Sequence, residues 1–311
     1  MSQIRLTEFR RTYILLGQPF TGSIASGGTL GILIPPSSAM IIYGILTETN
    51  IGKLFIAGII PGLVTIGLYI VAIGIQTSID PKLGPPGERT PWRQRLVSLR
   101  GTWGIMLLFA LVMGGIIAGI YTATEAAAVG AVGSFLIALM RRSLTLSSLI
   151  AILVDACKTT AVLMAVIVAA AVFTNFLDIT GTPHHISEFL QSLDMTPMGI
   201  LIVIICIYLV LGCFLEGMAM MLLTVPLFYP IVASLGFDLV YFGVLVIVVT
   251  ELAMMTPPIG MNVFILKGTF PEISVRTIYR GVIPFVGADI VRLILFLMFP
   301  AIIMLLPNMA G

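Results

Sequence analysis

The chain has 311 residues, 59% hydrophobic and only 10% charged, with a mean hydropathy of +1.13. A soluble globular domain carries about 25% charged residues, so that class is excluded. The net charge of +2 is too small to imply a nucleic-acid partner, and the alternating pattern of a membrane β-barrel is absent. What remains is an all-α polytopic membrane protein whose apolar runs are long enough to cross a bilayer core of roughly 30 Å.

In chain order, residues 1–20 form an atypical N-terminal segment with Arg5, Arg10 and Arg11, and Tyr13–Leu16 is too short for a signal-peptide core. Membrane segments are predicted at 21–47, broken at Pro35-Pro36, and at 53–78. The Pro- and Gly-rich stretch 79–102 then reads as a cytoplasmic linker that becomes a basic amphipathic helix. Further spans are predicted at 103–121, 122–140 and 159–180, with an interfacial helix at 144–158. An apolar stretch at 197–232 is interrupted at Leu215-Glu216-Gly217 and precedes segment 241–267, broken at Pro257-Pro258, and a last span at 284–306.

Basic residues set the orientation. Arg5, Arg10 and Arg11 place the N-terminus in the cytoplasm, and Arg89 to Arg100 and Arg141-Arg142 follow at even numbers of crossings. Lys267, Arg276 and Arg280 also fall inside if 197–232 is a re-entrant hairpin, but outside if it crosses once. The hairpin reading places the C-terminus in the periplasm and makes the two broken segments run in opposite directions. The chain then reads as an inverted repeat: 21–78 is the C-terminal part of the first copy and 103–311 is the second. Gly58-Ile-Ile-Pro61 and Gly281-Val-Ile-Pro284 restart the helix after each break at nearly equal spacing (61 − 36 and 284 − 258). Paired broken helices in opposed halves point to the ion and substrate site of a secondary transporter.

Proline lacks the amide hydrogen that helix requires and restricts the residue before it, so Ile34-Pro35 and Thr256-Pro257 interrupt their helices. Carbonyls freed at membrane depth need protein, water or an ion. A cluster of such oxygens suits a dehydrated cation, and paired half-helix N-termini favour an anion such as a carboxylate. Gly28, Gly31 and Gly260 are expected to allow close backbone approach. Glu216, at the hairpin tip beside Gly217, can cap the second half-helix, join an ion site or pair with a donor. Glu125, following Thr122, fits a helix cap better than a proton carrier. Glu251 and Asn262 flank the second break, and Asn175 stands near the end of a crossing. His184-His185, the three cysteines and the Gly27–Gly31 glycines show no metal-ligand or phosphate-loop pattern, and no catalytic constellation argues for an enzyme.

Three motifs in order, Gly28-Thr-Leu-Gly-Ile-Leu-Ile-Pro-Pro-Ser37, Tyr121-Thr-Ala-Thr-Glu-Ala-Ala-Ala-Val-Gly130 and Glu251-Leu-Ala-Met-Met-Thr-Pro-Pro-Ile-Gly260, resemble the large membrane subunit of tripartite ATP-independent periplasmic (TRAP) transporters. The resemblance runs from about Thr21 to Leu306. It implies an elevator-type carrier of the bacterial inner membrane, driven by sodium with no other cofactor. Such carriers work with a small four-helix membrane subunit and a periplasmic solute-binding protein that delivers an organic acid: a dicarboxylate, keto acid or sugar acid. Carried over, the ion-binding positions are Gly28, Gly31, Ile34 and Pro35 in the first copy, and Gly212, Glu216, Gly217, Met254, Thr256, Pro257 and Gly260 in the second. Ser37, Asn175 and Asn262 are the polar side chains expected to meet the substrate. Family members carry a further N-terminal part with the first re-entrant hairpin, which Met1–Phe20 does not supply. A truncated, non-transporting remnant is therefore one alternative, and an ion-coupled elevator carrier that needs no binding protein is another.

Overall fold

A computed structural model describes residues 21–83, 91–192, 195–257 and 260–310. The N-terminal segment 1–20, linker residues 84–90 and Pro258 of the second Pro-Pro pair lie outside the described residues. Among those described there is helix and turn but no strand. Five helices are long and apolar enough to cross a membrane, or six if one bent pair counts as a span.

The chain divides into two compact units. Gly87–Phe176 holds α4 (Trp92–Ile117), α5 (Ala123–Met140) and most of α6 (Leu146–Thr180). Thr122 caps α5 and Glu125 completes a capping box, its Oε2 accepting from the Thr122 amide at 2.8 Å. That settles Glu125 as a cap. Gly130 and Gly133 turn toward Val112 and Leu108, so α4 and α5 approach closely. The basic run that begins at Trp92 shares one helix with the apolar stretch after it. The separate interfacial helix expected at 144–158 does not form: α6 runs unbroken for 35 residues, because no proline or glycine interrupts Leu146–Thr180.

The other unit comprises the chain up to Pro86 together with Leu177–Gly311. Its first helix, α1, is described over Thr21–Leu33 and bends by 42° into α2 (Ser38–Leu46). Next come α3 (Ile51–Ile79), α7 (Thr182–Ser192), α8 (Pro197–Gly212) and α9 (Gly217–Ser234), the last two packed on each other. The unit ends with α10 (Leu239–Met255), α11 (Met261–Thr269), α12 (Val275–Met298) and α13 (Ala301–Ala310). Every residue from Val240 to Ala253 is buried, as expected for a helix apolar all round. Helices α2, α3, α8, α9, α11, α12 and α13 all pack against α10. Tyr43 of α2 lies over Gly243 and donates to the Leu239 carbonyl at 2.7 Å, tying the first broken helix to the second.

The two breaks match in form. Each is followed by a nine-residue helix, α2 or α11, and then by a long helix, α3 or α12, that carries an internal proline, Pro61 or Pro284.

Candidate functional site

At the first break, Pro35 and Pro36 bring no amide hydrogen to the carbonyls of Gly31 and Ile32. Ser37 recovers one of them: its hydroxyl donates to the Ile32 carbonyl and its Oγ accepts from the Met40 amide at 3.4 Å, capping α2. Ser37 is 1% exposed, so its side chain is engaged in building the break. Gly28 and Gly31 lie on an exposed face where a Cβ would meet nothing within 4 Å. No neighbouring side chain packs against that face, so the close backbone approach expected there is not made. Ile34 is half-buried and Pro35 buried.

At the second break, Pro257 cannot donate to Ala253, whose carbonyl takes the Thr256 amide instead at 3.2 Å. The Thr256 hydroxyl donates to the Leu252 carbonyl at 2.7 Å. Met254 is the next carbonyl to lose its helical donor, since the residue four ahead is also proline. Gly260 adopts φ 50, a left-handed conformation that suits glycine. There the carbonyls of Met255 and Thr256 and the hydroxyl of Tyr279 each stand 3.3 Å from where a Cβ on Gly260 would sit. The missing side chain leaves an oxygen-lined cradle.

The α8–α9 hairpin brings its tip to this place. A Cβ on Gly212 would strike Ala253, and one on Gly217 would come within 2.6 Å of Thr250 Cγ2 and 3.6 Å of Met254 Sδ. Both glycines are buried against the last turn of α10. Glu216 is exposed and caps α9 through the Ala219 amide at 2.9 Å; of the roles its position allows, the cap is the one with a partner. Asn262, on α11, donates to the Ala25 carbonyl of α1 at 3.2 Å and so links the two broken helices. Asn175 belongs to the other compact unit, exposed on α6 and turned back to the Ala171 carbonyl at 3.4 Å. The structure thus gathers the second-copy positions, Asn262 and the first break within one unit, and leaves Asn175 outside it.

Behind the breaks lies a cluster that the sequence motifs do not announce. Arg292 of α12 is fully buried and donates through Nη1 to Glu251 Oε2 and Thr65 Oγ1, both at 2.8 Å. Its Nη2 meets Asp289 Oδ1 at 3.1 Å. The Tyr69 hydroxyl reaches both oxygens of Asp289, at 3.0 and 2.9 Å. Glu251, Asp289 and Arg292 have no solvent exposure, and no side chain meets Glu251 Oε1. Glu251 is legible as a neighbour of the break, whereas Asp289 and Arg292 belong to no motif. The available signal is a pair of opposite charges three residues apart in an otherwise apolar span, since an ionisable residue at membrane depth is a functional hypothesis in itself.

Residues 19–302 match the family described as tripartite ATP-independent periplasmic transporter, DctM component. The chain is 37% identical over 292 residues to the C4-dicarboxylate TRAP transporter large permease of Pseudomonas aeruginosa, covering 93% of this chain and 67% of that protein. It is 33% identical to the sialic acid TRAP transporter large permease of Vibrio cholerae, covering 93% and 67%. With the 2,3-diketo-L-gulonate TRAP transporter large permease of Escherichia coli K12 it shares 32% identity, over 91% and 66%. The chain therefore spans about two thirds of the length of these relatives. It is a polytopic helical protein of the DctM family, the large permease component of TRAP transporters.

Proposed function

We propose that this chain is the membrane subunit of a sodium-coupled secondary transporter in the bacterial inner membrane, taking up a small organic acid. A periplasmic solute-binding protein delivers the acid, and a small four-helix membrane subunit accompanies the permease. The observation that carries this reading is the convergence of the Met255 and Thr256 carbonyls on the side-chain-free face of Gly260. Neutral oxygens facing a space too small for a side chain suit a dehydrated monovalent cation. The hairpin glycines Gly212 and Gly217 hold the neighbouring turn of α10 in place, and Asn262 fixes the cradle to α1.

A cation there gives an anionic substrate a positive partner at a point where the described side chains supply none. Substrate and ion then stabilise each other, which is the thermodynamic content of coupling. The relatives named above carry C4-dicarboxylates, sialic acid and 2,3-diketo-L-gulonate. These are carboxylates of differing size, which supports an organic acid without choosing one. Alternating access follows the elevator scheme, in which the unit bearing both breaks moves its cargo across the bilayer.

The test is thermal stability of the detergent-solubilised chain in sodium against equal potassium, followed by uptake into liposomes with its two partner components. A sodium-specific rise in melting temperature and sodium-dependent uptake are expected. A melting temperature indifferent to the choice of cation would overturn the ion site.

A further inference from the structure

The charge count of the buried cluster does not balance. Two carboxylates, Glu251 and Asp289, face one guanidinium, Arg292, all at 0% exposure. The charged groups acting on either carboxylate are the other members of this cluster. The remaining partners, Tyr69 and Thr65, are neutral hydroxyls. Asp289 is well served: Arg292 and the Tyr69 hydroxyl hold both of its oxygens. Glu251 shares Arg292 through Oε2 alone, and no side chain meets its buried Oε1. With both carboxylates ionised, the cluster carries one negative charge that nothing within it cancels, and burial opposes that form unless a cation stands near.

Glu251 also stands between the two breaks. It lies on α10, which ends at Met255 just before the second break, and the Leu33 amide beside its carboxyl is the last of α1 before Ile34-Pro35-Pro36. Four to five residues separate it from the Met255 and Thr256 carbonyls (255 − 251 and 256 − 251), about 6 to 7.5 Å of helical rise. We propose that Glu251 supplies the counter-charge for the cation held at the second break, acting through space and not as a ligand. The inference rests on the sodium reading above and deepens it: carbonyl oxygens fit a small cation, and the surplus carboxylate makes a positive charge there favourable. It also assigns Arg292 a role, holding Glu251 in place while cancelling only one of the two carboxylates.

At an effective dielectric near 20, one charge about 7.5 Å away changes monovalent-cation affinity by up to about fortyfold. The experiment is a sodium titration of the purified chain in detergent at constant ionic strength, with choline as the replacing cation and melting temperature as the readout. Glu251→Gln keeps an acceptor for Arg292 and removes the charge; half-saturation should move up by about tenfold or more. Glu251→Asp keeps the charge and should stay near wild type. Asp289→Asn removes the same net charge from the other side of Arg292, so sodium affinity should fall in the same direction, which keeps the test available if Glu251→Gln does not fold. Wild-type half-saturation in a folded Glu251→Gln or Asp289→Asn chain would overturn the inference and leave the sodium reading standing. A wild-type chain without sodium-specific stabilisation would overturn both.

Discussion

Replacing Arg292 with methionine keeps much of the side-chain volume and removes the guanidinium that both Glu251 and Asp289 use. The guanidinium binds Glu251 at 2.8 Å, Thr65 at 2.8 Å and Asp289 at 3.1 Å, and methionine can form none of these bonds. At an effective dielectric near 20, the two ion pairs amount to gross attractions of about 6 and about 5 kcal/mol. Most of that offsets the desolvation of three buried charges, so the gross figures are not the effect of the substitution. What decides the outcome is that two carboxylates are left facing each other at zero exposure. Breaking a buried pair in this way destabilises by about 3–5 kcal/mol. Replacing the whole cluster should do much less harm. The set Arg292→Met, Glu251→Met, Asp289→Leu and Tyr69→Phe leaves no orphaned charge, and Thr65 keeps its bond to the Pro61 carbonyl at 2.7 Å. Apolar replacement of a buried ionic cluster is often close to neutral. The measurement is equilibrium unfolding in mixed micelles, comparing wild type, the single variant and the apolar set. The electrostatic reasoning is refuted if Arg292→Met falls within about 1 kcal/mol of wild type, or if the apolar set is no more stable than the single variant.

Gly260→Ala places a Cβ among the Met255 and Thr256 carbonyls at a position with φ 50. It should lower stability by about 1–2 kcal/mol and abolish the sodium-specific part of the melting shift. A shift equal to wild type would remove the cradle from the ion site. Ser37→Ala strands the Ile32 carbonyl and the Met40 amide in a buried break; a loss of about 1–3 kcal/mol is expected in the same unfolding assay. Thr122→Ala removes the cap of α5 and should reduce stability by about 1 kcal/mol while leaving sodium half-saturation where it is. A change in half-saturation would show that α5 reaches the ion site.

The parts of this molecule that are legible in its sequence are those that write a local signature. Consecutive prolines cannot accept helix, so Pro35-Pro36 and Pro257-Pro258 mark the breaks in the sequence whatever surrounds them. Thr122 and Glu125 at capping-box spacing mark the start of α5. The tip Glu216-Gly217 marks the turn between two apolar helices. The single helix through 146–180 is harder to read, because serines, threonines and a charged pair look interfacial when only composition is weighed. Propensity carries the helix through, since nothing in that stretch stops it. Gly28 and Gly31 look like close-packing positions because glycine so often serves that end; whether anything lies opposite is a tertiary fact.

The buried cluster belongs to the least legible class, and the repeat shows why. Tyr69 and Arg292 both stand eight residues beyond the restart proline of their copies (69 − 61 and 292 − 284), and both reach Asp289. Two positions at matching offsets thus converge on one carboxylate. Helix α3 brings hydroxyls from Thr65 and Tyr69, and α10 and α12 bring charges from Glu251, Asp289 and Arg292. Pairing separations of 41 and 220 residues leave no trace in any window of sequence. An acid, a base and a phenol from three separate stretches of chain meet there, and Glu251 Oε1 is left without a side-chain partner beside the breaks.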